Sequence, residues 1–333
     1  MAPGQGRPAR VLVTGATGFT GGHLARTLAA RGDTVRALVR NPHVAAAALP
    51  GIELVAGDLT DADALARAVA GVDVVYNIAA LYRTAGLDDA VYRAVNATAV
   101  ATLIEQAAAA RVTRVVHCST VGVHGDIEHP PADEDAPLRP GDVYQETKLE
   151  GERLARGAAT EAGVELVIVR PTGIYGPGDR RLLKLFRGVA RRRFNVLGRG
   201  DIWYHLTYID DLVDGFRLCG THPAAAGRTY ILSGPEVTTL NELVAITAEV
   251  AGVKPPTLRL PVWPFWVAGA ACEVLCRPLG IEPPLYRRRV DFFTKSRAFD
   301  SSLAKAEIGF APAIGLREGI GRTLTWYREA GWL

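Results

Sequence analysis

The chain has 333 residues, with 38 basic and 35 acidic side chains, a formal net charge of +3, 48% apolar residues and 22% charged ones. These proportions exclude disordered, collagenous and coiled-coil chains, and the near-balance of charge gives no reason to expect nucleic acid as a partner. At this length a core is stable without disulfides or metal, in one large or two closely joined domains.

The first half repeats one rhythm. Residues 11–13 read as a buried strand, 21–31 as a helix stopped by Gly32, 34–39 and 52–56 as strands, and 62–70 as a helix ended by Gly71. Residues 72–78 form a fourth strand and 92–110 a long alanine-rich helix. A fifth strand over 112–119, a helix over 144–162 and a sixth strand over 164–170 follow. Strands alternating with helices predict right-handed crossovers and a parallel sheet covered on both faces, a doubly wound α/β fold. After Pro171 glycines and prolines cluster up to Gly178. A basic helix is predicted over 180–193, a short strand over 206–209, a helix over 211–218 and a mainly helical tail from Thr238, with breaks at 255–264 and 283–284.

The cysteines at 118, 219, 272 and 276 form no CxxC pair and have no zinc-ligand spacing, so they are expected to be buried thiols in a reducing compartment. His117, His124 and His205 are too scattered to read as metal ligands, and no metal is expected. The first nine residues lack the apolar run of a signal peptide and read as a loose tail. The most apolar stretch, 260–272, stops at Glu273, short of the ~20 residues that span a bilayer. No transmembrane segment is expected, and the location predicted is cytoplasmic.

The cofactor signal lies between the first strand and the first helix. Gly15, Gly18 and Gly21 bracket Thr17, Phe19 and Thr20. Gly15 permits a tight turn, Gly18 close approach of a pyrophosphate, and Gly21 packing of the helix, whose N-terminus offers free N–H groups to phosphate. With its GxxGxxG spacing the chain resembles the extended short-chain dehydrogenase/reductase family, and the resemblance continues along most of its length. Asp58-Leu59 matches the family's contact to the adenine, and Ile78-Ala79-Ala80 its turn against the adenosine ribose and phosphates. Asn96 matches the asparagine that orders the active-site backbone, and Arg170-Pro171 with Tyr175-Gly176-Pro177-Gly178 the turn beneath the nicotinamide. Asp210-Asp211 matches its late aspartate. The resemblance implies a Rossmann-type dinucleotide-binding domain over 10–171 plus 202–233. A smaller, mainly helical C-terminal substrate domain would comprise 172–201 plus 234–333.

An acid at the end of the second strand would hold an NAD ribose; this chain has Arg40 there, with Arg36 inside the strand. A guanidinium suits a 2′-phosphate, so NADP(H) is favoured over NAD(H), the alternative being a solvated Arg40 and an enzyme that accepts either.

Tyr144 and Lys148 form a Tyr-x-x-x-Lys pair on one helix face. A phenol near pKa 10 is a poor base at neutrality, and a neighbouring ammonium favours its phenolate. Tyr144 can then exchange a proton with a substrate oxygen as hydride moves at the carbon. Lys148 can also hold the nicotinamide ribose. Aligning through Gly125 puts Thr120 at the family's hydroxyl position, with Ser119 as the fallback.

The family contains retained-NAD enzymes acting on nucleotide sugars, and dehydrogenases or reductases of alcohols and ketones. Gly173 stands where the sugar branch carries an asparagine, and Tyr204 near where it carries an arginine. Leu260-Pro261, the apolar run after it, Pro284-Leu285-Tyr286-Arg287 and Phe299-Asp300-Ser301-Ser302 resemble instead the 3β-hydroxysteroid dehydrogenase, dihydroflavonol reductase and β-hydroxy-acid dehydrogenase branch. The expected function is therefore hydride transfer between a nicotinamide and a secondary alcohol or ketone; the alternative is a nucleotide-sugar 4-epimerase or dehydratase. Trp263, Phe265 and Trp266 read as pocket lining, a membrane-surface element or a buried helix. Arg180, Lys184, Arg187 and Arg191 fall on one helical face and, with Arg287-Arg288-Arg289, either meet an anionic substrate or are solvated. The partner expected is a small molecule, apolar or anionic. The resemblance also favours a homodimer through 92–110 and 144–162, whose apolar faces could equally belong to the core.

Overall fold

The computed structural model describes residues 9–276 and 287–333 apart from Arg83 and Ala85, with the backbone alone at 287–289. The tail before Ala9, the break at 283–284 and Leu285-Tyr286 lie outside the described residues, as do the side chains of Arg287, Arg288 and Arg289.

In chain order the elements begin β1 (Arg10–Thr14), α1 (Phe19–Ala30), β2 (Thr34–Val39), α2 (Pro42–Ala46), β3 (Glu53–Ala56), α3 (Ala62–Val69) and β4 (Val74–Asn77). They continue with α4 (Asp89–Arg93), α5 (Ala99–Ala109), β5 (Arg114–Cys118), α6 (Val143–Ala162), β6 (Glu165–Pro171), β7 (Gly173–Tyr175) and α7 (Leu183–Ala190). Next come β8 (Val196–Leu197), β9 (Trp203–Tyr208), α8 (Ile209–Thr221), β10 (Thr229–Leu232), β11 (Val237–Thr239), α9 (Leu240–Val250) and β12 (Arg259–Leu260). The last are α10 (Trp263–Cys276), α11 (Arg287–Thr294), α12 (Ser302–Ile308) and α13 (Leu316–Glu329).

Seven parallel strands form one sheet in the order β10-β6-β5-β4-β1-β2-β3. Alternation along each strand divides the core. Val11, Val13, Val116, Val167 and Val169 join the apolar cluster with α1 and α8. Leu12, Val75, Val115, Leu166 and Ile168 join the one with α3, α5 and α6. The strand order turns back between β1 and β4, which opens a crevice beyond their carboxyl ends. A second sheet, β11-β9-β7, and a two-stranded one, β12-β8, stand beyond that crevice in the chain order after β6.

The 92–110 segment is a helix interrupted by a π turn at Ala94–Thr98. Such a turn re-aims one side chain, here Asn96. The basic helix expected over 180–193 shortens to α7, because the Asp179 carboxylate accepts the Arg181 and Leu182 backbone N–H groups and holds that stretch as a cap. The apolar residues Leu103, Ile104, Ala107, Ala155 and Ala159 of α5 and α6 pack inside the chain.

The 260–276 run folds as α10, and its side chains are not buried as an ordinary core helix would be: Gly269 is its buried residue, while Trp263, Trp266, Val267, Val274 and Leu275 are exposed. Among the described residues no helix is long and apolar enough to cross a membrane.

Candidate active site

A cleft of about 1250 Å3 runs along the carboxyl ends of the central strands. At its centre the Gly18 N–H donates to the Gly15 carbonyl at 2.9 Å and closes the turn after β1. Gly15 has φ +68°, and a Cβ there would stand 2.9 Å from Ala79 Cα; one at Gly21 would overlap the Gly15 carbonyl. Gly18 caps α1 with no side-chain bond, and the first turn carries no acid. Thr17, Phe19 and Thr20 line the cleft beside these open N–H groups. A side-chain-free turn at the positive end of a helix fits a pyrophosphate, so the residues present suit a dinucleotide.

Arg40, Asp58, Leu59, Ile78, Ala79 and Ala80 line one end of the cleft. Asp58 accepts from the Thr60 N–H at 3.0 Å and from its hydroxyl at 2.7 Å, which, with the Arg40 charge adding, holds its carboxyl below the ordinary range. Arg36 is turned away: its guanidinium donates to the carbonyls of Ala68 at 2.9 Å and Ala70 at 2.8 Å, capping α3, and pairs with Glu53 at 2.9 Å.

The other end is built by β5 and α6. Asp142 caps α6 by accepting the Gln145 N–H at 3.0 Å, which starts the helix so that Tyr144 stands in its first turn at the cleft. The Tyr144 residue is 9% exposed, and its ring meets Tyr82 edge-on at 4.9 Å. Thr120 and Ser119 are separated by their bonds. The Ser119 hydroxyl donates to Glu152 at 2.5 Å, and Glu152 receives Arg170 in two bonds of 3.0 and 2.7 Å, all of it buried. Thr120 lines the cleft. Its oxygen accepts the Gly122 N–H at 3.0 Å, which leaves its O–H available to donate.

Lys148 and Asn96 are not among the residues lining the cleft. Asn96 is fully buried behind it; its side chain accepts from the Leu81 N–H at 2.8 Å and donates to the Leu81 carbonyl at 3.0 Å. It thus fixes the segment next to Tyr82 rather than presenting itself to a ligand. Lys148 is 1% exposed. Its ammonium donates to the Cys118 carbonyl at 2.6 Å and lies 3.3 Å from His117 Nε2.

The sequence spacing gives His117 no role as a metal ligand and no sign of its placement under Lys148. This histidine is a polar residue in the middle of a buried strand, and that signal could have found it. A chain of hydrogen bonds leads to it: Ala79 N–H to the Thr14 hydroxyl at 3.0 Å, Thr14 to Asn77 Oδ1 at 2.7 Å, and Asn77 Nδ2 to His117 Nδ1 at 3.0 Å. The ring thus lies between the Asn77 amide and the Lys148 ammonium, and which of its nitrogens donates depends on the tautomer. Burial, with the Lys148 charge adding, holds the His117 pKa well below its ordinary value; burial also lowers Lys148.

Opposite this floor, Tyr204, His205 and Leu206 of β9, Phe292 of α11, Arg297, Phe299 and Trp332 complete the wall. Arg180, expected on a helical face, lies in the loop before α7 with its guanidinium 5.0 Å above the Trp332 ring; Arg181 lies over Phe19. None of Trp263, Phe265 and Trp266 is among the described residues that line this cleft.

A doubly wound sheet with a bare glycine turn at its switch point, and a tyrosine and a strand-end hydroxyl lining the same cleft, are the features of a nicotinamide-dinucleotide enzyme of the short-chain dehydrogenase/reductase type. The chain belongs to the NAD dependent epimerase/dehydratase family, whose model matches residues 11–233. It is similar to a 3 beta-hydroxysteroid dehydrogenase/Delta 5→4-isomerase of Mycobacterium tuberculosis, with 31% identity covering 96% of this chain and 90% of that one. It is 30% identical to a 2-alkyl-3-oxoalkanoate reductase of Stenotrophomonas maltophilia, over 94% of this chain and 98% of the relative. Among solved structures, MoeE5 in complex with UDP-glucuronic acid and NAD superposes with a TM-score of 0.76 at 28% identity, covering 96% of this chain and 99% of MoeE5. The protein is an NAD(P)-dependent enzyme of the extended branch.

Proposed function

We propose that the enzyme moves hydride between a nicotinamide and a secondary alcohol or ketone carbon, with NADP(H) preferred. The nicotinamide, when bound, supplies or takes the hydride. Tyr144 gives its phenolic proton to the carbonyl oxygen in reduction and takes the hydroxyl proton in oxidation. Thr120 donates to the same oxygen and orients it. Lys148, one turn along α6, favours the phenolate, and the Cys118 carbonyl holds its ammonium.

The observation that carries this reading is the shared wall: Tyr144 and Thr120 line one cleft with the glycine turn, above a buried lysine. The names of the steroid dehydrogenase and oxoalkanoate reductase relatives describe secondary alcohols or ketones and support it. Arg40 at the cleft supports the cofactor preference.

The likeness to MoeE5 supports a second reading, a nucleotide-sugar 4-epimerase or dehydratase with retained NAD. Denaturing the purified protein and assaying released nucleotide separates the two. The oxidoreductase reading expects protein free of bound nucleotide that binds NADPH more tightly than NADH. One NAD released per chain overturns it in favour of the sugar enzyme.

A further inference from the structure

Arg297 is anchored beside β9 on the cleft wall by a strap that follows α11. Its N–H donates to the Trp203 carbonyl at 2.8 Å, the Ala132 N–H to the Ala298 carbonyl at 3.0 Å, and the Asp300 N–H to the Ala132 carbonyl at 2.8 Å. Bridges pair Arg297 with Tyr204 and Phe299 with Ala132. Arg297 and Phe299, two apart in an extended run, both line the cleft, while Ala298 between them is buried. Phe299 packs in one cluster with Val121, the residue after Thr120, and its ring lies 6.0 Å from His124 on the same turn. The guanidinium therefore belongs to the catalytic end of the cleft.

Its neighbours leave its charge uncompensated. Among the described residues no carboxylate lies within 4.0 Å of it. It reaches the Lys295 carbonyl, a neutral acceptor, at 3.5 Å, and its positive charge lies close enough to the Tyr204 hydroxyl to offset part of the upward push of burial there. Of the other cations of this region, Arg181 pairs with Asp179 at 3.2 Å, Lys295 lies 3.6 Å from Asp126 and 3.7 Å from Asp291, and Arg180 is engaged by the Trp332 ring, 5.0 Å from its centroid. A half-buried guanidinium has lost part of its hydration and is best satisfied by an anion in its plane, for which a carboxylate has the matching pair of oxygens. Around it the wall is mainly apolar, with Leu206, Phe292 and Phe299 beside the neutral Tyr204 and His205. One fixed charge among apolar side chains selects a body that is mostly hydrocarbon with a single anionic head.

We propose that Arg297 binds the carboxylate of the substrate, which makes that substrate a hydroxy acid or oxo acid with an apolar chain. The proposal narrows the substrate class of the hydride-transfer reading and rests on it. A pair of unreactive probes keeps the two apart: decanoate and decanamide, which share a chain and differ in charge. Neither can exchange hydride at a secondary carbon, so their binding to the enzyme–NADPH complex is independent of turnover.

In calorimetric titration at low salt the wild type is expected to bind decanoate about tenfold or more tightly than decanamide, and Arg297→Leu to lose that difference while still binding NADPH. Arg297→Lys is expected to recover part of it, since the charge returns without the planar pair of donors. Tyr144→Phe is expected to keep the full difference. Equal binding of the two probes by the wild type, or an undiminished preference for decanoate in Arg297→Leu, overturns the proposal. Should Arg297→Leu fail to fold, the wild-type comparison and Arg297→Lys decide it. Failure of the hydride reading would show elsewhere, in the nucleotide released on denaturation.

Discussion

The two ends of the cleft are made of different material. Beneath α1 the phosphate cradle is backbone: a glycine at positive φ, an uncapped helix end and no charged side chain in the first turn. At β5 and α6 the site is made of side chains, with Lys148 over His117 and Ser119 against the Glu152–Arg170 pair. Backbone dipoles are fixed by the fold and do not titrate. Buried side chains lose hydration and depend on partners from other elements, so a substitution at the catalytic end acts by stranding a charged or polar partner.

The largest stability effect is expected at the buried pair. Glu152→Ala should cost roughly 3–5 kcal/mol in urea unfolding, because Arg170 is left charged and unpaired. Arg153→Ala, exposed one residue further on, should stay within about 0.5 kcal/mol. Comparable losses in the two variants would show that the buried pair carries no special weight. At the cradle, Gly21→Ala should weaken dinucleotide binding and destabilise by about 1–3 kcal/mol, since its Cβ overlaps the Gly15 carbonyl; unchanged affinity would show that the turn has slack.

The pH dependence sharpens the same contrast. His117, His124 and His205 have folded pKa values below the ordinary 6.5, burial being the first cause of each. Between the folded value and 6.5 the unfolded chain binds more protons, so stability falls as pH drops through 6.5. Each histidine contributes at most about 1.4 kcal/mol per pH unit. Urea midpoints from neutrality to mildly acidic pH check this, and a flat profile would contradict it. The smallest effect belongs to the adenosine end. Arg40→Asp should move the NADPH-to-NADH ratio of kcat/KM toward NADH by about tenfold, the worth of one charge-assisted bond; an unchanged ratio makes Arg40 a bystander.

The same division decides what could be read from the residues alone. The glycine turn, the alternating strands and the Tyr144–Lys148 spacing are local patterns with a fixed geometric meaning. The His117–Lys148 contact, the Ser119–Glu152–Arg170 cluster and the seat of Arg297 join residues brought together only by the sheet order and the strap after α11. Sequence spacing carries no record of such pairings. Arg36 and Arg180 show the cost: neighbours by number to cofactor positions, one caps α3 and the other stacks on Trp332.

The most direct measurement is the turnover of Tyr144→Phe beside its affinity for NADPH. A proton-transferring phenol predicts a loss in kcat of about 10²–10⁴-fold, with the dissociation constant for NADPH unchanged within about a factor of two, a margin small beside the tenfold that one 1.4 kcal/mol interaction represents. Wild-type kcat in that variant would contradict the assignment of Tyr144 and leave the cleft as a dinucleotide site whose chemistry is done by another group.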